Sequence, residues 1–189
     1  MTQSQPGPQL HAVLDELRAA GTAYTDAYRA PRDAAPRYKV AIVACMDARL
    51  DIPALFGLHP GDAHIIRNAG GTVTDDVIRS LTISQTKLGT QAVLLVHHTD
   101  CGQQSYRDAD LRRELLQRTG QEPEWSPQAF ESAEADVRES IRRITSSHFL
   151  DFDAVAGYVF DTATGNLNEV IPSARTQTGS AKTPSAQHH

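Results

Sequence analysis

Val40-Ala41-Ile42-Val43-Ala44-Cys45 is an unbroken apolar run, and Met46-Asp47-Ala48-Arg49 follows it at once. Its length and β-branched residues suit a strand better than a helix. Continuous rather than alternating apolarity suits a strand covered on both faces, as in a parallel sheet. The polar residues that follow would then occupy the loop at the strand's carboxyl end, where open parallel sheets gather their functional groups.

Working outward from this run, Ala63–Arg67 and Gln91–His97 read as further strands. Thr74 before Asp75 and Asp76 offers a helix N-cap with acids in the first turn, and the helix it opens runs through Val77, Ile78, Leu81 and Leu88 to Gly89. Residues 108–119 and 131–146 carry apolar positions at helical spacing, with Trp125-Ser126-Pro127 as a break between them. Asp153–Asp161 reads as a strand, and Thr164-Gly165 as the turn into a last one, Asn166–Ile171. This order predicts an α/β fold: a mainly parallel β-sheet of four strands plus an antiparallel edge strand, flanked by helices. Ahead of it, Leu10, Val13, Leu14, Leu17, Ala20, Tyr24 and Tyr28 outline an amphipathic helical arm over residues 10–30. Residues 1–9 and 172–189 are polar and rich in Pro, Gly, Ser and Gln, so they read as disordered ends of a single domain spanning 10–171.

Composition narrows the classes. The chain has 189 residues and a net charge of −5, with no dense basic cluster, which argues against nucleic acid and anionic membranes as partners. No apolar run approaches the ~20 residues needed to cross a bilayer. The start, MTQSQPGPQL, lacks the charged and apolar regions of a signal peptide, so a cytoplasmic location is expected. In that compartment two cysteines are expected as ligands, redox groups or core residues rather than as a disulfide.

Both cysteines fall on the predicted rim: Cys45 after the first strand, and Cys101 in His97-His98-Thr99-Asp100-Cys101-Gly102 after the third. Thiolates with an imidazole select zinc, and His98-x-x-Cys101 lets one turn supply two ligands while Cys45 arrives from elsewhere. Three protein ligands leave one tetrahedral position open, as in catalytic zinc sites. Isolated Cys and His residues near strand ends are more often packed than ligating; the second cysteine on the same rim favours the metal. His97 alternates to the opposite face, which makes it a core or interface residue. Asp47 has two available roles, closing the fourth metal position or pairing with Arg49 and leaving it open. Arg67-Asn68-Ala69-Gly70-Gly71, after the second strand, lacks the spacing of a phosphate-binding fingerprint.

Cys45-x-Asp47-x-Arg49, Arg67-Asn68-Ala69-Gly70 and His98-x-x-Cys101-Gly102, in this order, resemble the signature of the β-class carbonic anhydrases, and the small actinobacterial branch in particular. The resemblance spans roughly Tyr38 to Pro172. It implies Zn2+ held by Cys45, His98 and Cys101, catalytic roles for Asp47 and Arg49, and a homodimer, or a higher homo-oligomer, embraced by the N-terminal helices. The implied activity is reversible hydration of carbon dioxide to bicarbonate by a zinc-bound hydroxide. In a closed state Asp47 would itself be a zinc ligand. Larger members place a Gln in the substrate pocket, yet this chain has none between Gln9 and Gln85. Substrate contacts then fall to backbone amides near Gly70, Gly71 and Gly102. His64 and Asp100 are proton-relay candidates by type only. Two other readings stay open: a carbonyl sulfide or carbon disulfide hydrolase on the same site, and a non-catalytic zinc-stabilised binding module.

Overall fold

The computed structural model describes residues 8–30 and 33–175. Contacts divide the chain into two units, residues 1–32 and 33–189. In the first, α1 (Pro8–Ala27) starts two residues before the expected arm, with Pro8 at the first helical position, where its missing N–H costs nothing. Leu10, Val13, Leu14, Leu17 and Tyr24 are exposed along it, and so is Tyr28, which lies just past its end and outside the helix expected to reach residue 30. The expected disorder of 1–7 and 176–189 lies outside the described residues, as does Pro31.

In the second unit a five-stranded sheet has the order β2-β1-β3-β4-β5, formed by β1 (Val40–Cys45), β2 (His64–Asn68), β3 (Ala92–His98), β4 (Ala154–Phe160) and β5 (Leu167–Arg175). The first four pair in parallel and β5 pairs antiparallel with β4, so the fold is the α/β sheet expected from the sequence. Strand ends differ by one residue or so from the expected limits, except at β5. There, Ala154 pairs with Arg175, so residues 172–175 belong to the sheet and not to a polar tail. Pro172 is compatible with that pairing because β5 is an edge strand, where one missing donor can face away from the ladder.

α3 (Asp75–Leu88) and α5 (Ala133–Thr145) cover one face: Val77, Leu81 and Ile144 pack with Ala41, Val43, Val93, Leu95 and Val155. Thr74 caps α3 by accepting from the Val77 amide, and Gly89, at φ 72°, ends it. On the other face Ile42, Ala44 and Val96 pack with Leu50 and Ile52. Ile52 opens α2 (Ile52–Phe56), a helix too short to show a period, which Asp51 caps through the Ala54 amide. α4 (Asp108–Thr119) buries no residue completely.

α5 lies so close to β4 that a Cβ built on Gly157 would fall 2.3 Å from Val137 Cγ1 and 3.1 Å from Ile141 Cδ1. Ile141 Cδ1 can swing aside, but Val137 Cγ1 at 2.3 Å is relieved only by a new rotamer or a shift of the helix. Gly157→Ala is therefore expected to destabilise the protein by about 1–3 kcal/mol, read by denaturant unfolding. An unchanged midpoint would contradict this packing.

Candidate metal centre

β1 and β3 are adjacent, and their last pair is Ala44 with Val96. Cys45 and His98 therefore emerge at the same rim, and the turn after β3 brings Cys101 back to them. All three are buried, and their ligand atoms lie within 4.8 Å of one another. Cys45 Sγ and Cys101 Sγ are 3.9 Å apart. Two thiolates each about 2.3 Å from a tetrahedral zinc would stand roughly 3.8 Å apart, so the spacing fits the ion.

His98 gives an independent test. Its Nδ1 is 2.9 Å from the Thr99 carbonyl, which can only accept, so Nδ1 carries the proton. Nε2 then presents its lone pair toward the sulfurs, fully buried and without a hydrogen-bond partner. A buried acceptor left unmatched costs about 1–3 kcal/mol, and a metal ion satisfies it. The charges agree. The thiol of Cys101 hydrogen-bonds to Cys45, holding Cys45 well below and Cys101 well above the ordinary thiol pKa; His98 reinforces the first shift and burial the second. Burial opposes a charge on His98, but its contacts with Cys45 and the Thr99 carbonyl prevail and raise its pKa. A divalent cation bound here would take the place of these shared protons.

Beside the ligands, Asp47 is paired with Arg49. Nε and Nη2 of Arg49 donate to Oδ1 and Oδ2 at 2.9 and 2.8 Å, and the Arg49 amide adds a 2.9 Å bond to Oδ1. These bonds hold the Asp47 pKa far below the usual carboxylate range. Asp47 Oδ2 is 3.7 Å from His98 Nε2, too long for a hydrogen bond. Arg49 also reaches across the rim, donating from Nη1 to the Asp100 carboxylate at 2.9 Å and from Nη2 to its carbonyl at 3.0 Å. Asp100 thus ties the two ligand loops together, adopting φ 55° to do so.

Gly70 and Gly71 sit in the single 3₁₀ turn after β2, both buried and both at positive φ. A Cβ on Gly71 would come 2.8 Å from the Cys45 amide nitrogen, so only glycine lets this turn lie against β1. Gly102 is exposed and has open space around it. His64 lies at the opposite end of its strand from the ligands. Its Nε2 donates to the Ala34 carbonyl, and its Nδ1 accepts from Ser84, which is bonded in turn to Thr90. His97 faces α5, bonded to Asp136 at 2.7 Å, and is a core residue as expected. Sequence reasoning placed Arg67 in a motif but gave it no role; its guanidinium donates to the carbonyls of Cys45 and Asp47. Sequence reasoning missed Gln103, which is buried behind Cys101, accepts from Tyr106 and bonds the Pro127 carbonyl at 2.9 Å. A charged side chain within a strand was the available signal for Arg67.

Residues 40–167 match the family model for carbonic anhydrase. The chain is 48% identical over 161 residues to Beta-carbonic anhydrase 1 of Mycobacterium tuberculosis, covering 85% of this chain and 99% of that protein. The crystal structure of carbonic anhydrase from Streptococcus mutans superposes with a TM-score of 0.78 at 38% identity, covering 90% of this chain and 100% of that one. A carbon disulfide hydrolase of Saccharolobus solfataricus is 41% identical over 75 residues, 40% of this chain and 37% of that protein. Among the described residues no helix is long and apolar enough to cross a membrane.

Cys101→Ser is expected to cost more metal affinity than the roughly 10–100-fold lost with an outer-shell partner, so the purified variant should lack zinc by elemental analysis. One zinc per chain retained in that variant would overturn the ligand set.

Proposed function

The chain belongs to the β-carbonic anhydrase family, and we propose that it catalyses reversible hydration of carbon dioxide to bicarbonate with Zn2+ held by Cys45, His98 and Cys101. The unpartnered, buried Nε2 of His98, gathered with two sulfurs beside the Asp47–Arg49 pair, carries this reading. Zinc in such a set supplies a Lewis acid that makes hydroxide available near neutral pH, a property established for carbonic anhydrases.

The protein's own groups orient the reactants. Arg49 uses two donors to fix both oxygens of Asp47, and its guanidinium keeps the carboxylate ionised. Asp47 Oδ2 would accept a hydrogen bond from the attacking oxygen and so turn that oxygen's lone pair toward the carbon of the substrate. Carbon dioxide is apolar, and Ala44, Val96 and the ligand cysteines belong to the apolar cluster on this face. Amides at Gly70, Gly71 and Gly102 border the ligand loops and are the proposed polar contacts to bicarbonate. The exposed Leu and Tyr stripe of α1 supports a homodimer, or a higher homo-oligomer, assembled through the arm, and a cytoplasmic location is part of the same reading.

The match to carbon disulfide hydrolase favours one second reading, that the same centre releases sulfide from carbon disulfide or carbonyl sulfide. A non-catalytic zinc module needs Asp47 as a permanent fourth ligand, and the three bonds from Arg49 oppose that.

Stopped-flow carbon dioxide hydration, run beside a sulfide-release assay, decides between the two enzymatic readings. Hydration without sulfide release is expected; the reverse would replace the proposed substrate. Asp47→Asn should lower kcat by about 10²–10⁴-fold while zinc is retained. Acid favours closure by Asp47 because protons compete with hydroxide, so activity should rise between about pH 6 and 9. A flat profile would exclude the closed state.

A further inference from the structure

We propose that Arg67, on β2, is a positioning residue that holds the Asp47 carboxylate in its working place. The proposal rests on the zinc-centre reading and extends it to a residue that touches neither metal ligand atoms nor the carboxylate itself.

The sheet leaves the start of the catalytic loop short of backbone partners. β1 stays paired with β3 only as far as Ala44, and with β2 only as far as Cys45, beyond which the Met46 amide still donates to the Asn68 carbonyl at 2.8 Å. Arg67 stands opposite Ala44 on β2. From there its Nε and Nη2 donate to the Cys45 carbonyl at 3.0 and 2.9 Å, and Nη2 donates to the Asp47 carbonyl at 2.7 Å. The two carbonyls flank Met46, whose side chain is exposed and fixes nothing. The other donor to the Asp47 carbonyl is the Leu50 amide at 3.1 Å, a bond inside the same turn that cannot anchor the turn to the sheet.

Arg49 anchors the turn only to the loop after β3, through Asp100, and gives it nothing on the β2 side. It lies two residues beyond Asp47, and its remaining contact is the exposed carboxylate and carbonyl of Asp100. On the β2 side the Asp47 carbonyl is held by Arg67, with a planar fork that also takes the Cys45 carbonyl and that a lysine cannot reproduce. Released, the loop lets Asp47, already 3.7 Å from His98 Nε2, move in among the metal ligands.

Cobalt(II) substituted for zinc reports this directly, since its visible absorption changes when a carboxylate enters the coordination sphere. Four proteins are compared: wild type, Arg67→Met, Asp47→Ala and the double variant. The expected result is a spectral change on Arg67→Met in the wild-type background and none in the Asp47→Ala background, the non-additivity of groups that act through one another. In the zinc enzymes, Arg67→Met should lower kcat about 10–100-fold with KM within about 2-fold, and Arg67→Lys should restore only part of it. Unchanged absorption on Arg67→Met, or an equal change in both backgrounds, overturns the proposal and leaves Arg67 as an end-cap of the sheet. If Arg67→Met fails to fold or to take up cobalt, Arg67→Lys is put through the same cycle under the same criteria. A wild-type protein that binds cobalt yet hydrates no carbon dioxide would sink the functional reading while leaving this cycle readable.

Discussion

The parallel register of β1 on β3 turns two cysteines 56 positions apart into one site. Ending the ladder at Ala44 and Val96 leaves Cys45 and His98 within one residue of the same height at the rim, and the short turn after β3 returns Cys101 to them. The close packing of the Gly71 turn against Cys45 then limits how far that cysteine can shift. A change of one residue in this register would send His98 to the α5 side, where His97 is bonded to Asp136.

Around the ligands, hydrogen bonds assign each group a single role. The Thr99 carbonyl chooses the tautomer of His98, and Arg49 chooses the ionisation and the orientation of Asp47. Gln103, held by the Pro127 and Gln128 carbonyls and by Tyr106, braces the Cys101 turn from behind. Little at the centre depends on side chains finding their own rotamers in water, which is the preorganisation that efficient electrostatic catalysis requires.

Much of this was legible in the sequence because the signals were local. The unbroken apolarity of Val40–Cys45, the Thr74 cap and the Gly89 stop each follow from a few neighbouring residues, and the structure keeps all three. Both cysteines and His98 were legible because strand ends on one rim must converge. The role of Arg67 was not, since its partners are set by register across β1 and β2, which spacing along the chain does not encode. α2 was too short to show a period, and the four residues that β5 adds after Ile171 contain a proline, which argues against a strand everywhere except at an edge. Asp100 was a proton-relay candidate by type only, and type did not reveal its partner: its side chain is 84% exposed and bonded to Arg49.

That shared arginine makes the centre unequal in its sensitivity to ionic strength. The contact of Arg49 with Asp100 lies in water, where dissolved salt screens charges over about 8–10 Å. Its contact with Asp47, whose side chain is only 18% exposed, is screened much less. Rising salt therefore loosens the outer half of the bridge first, freeing the link between the two loops while Asp47 keeps its guanidinium. The exposed carboxylate acts as a fuse in front of the shielded one.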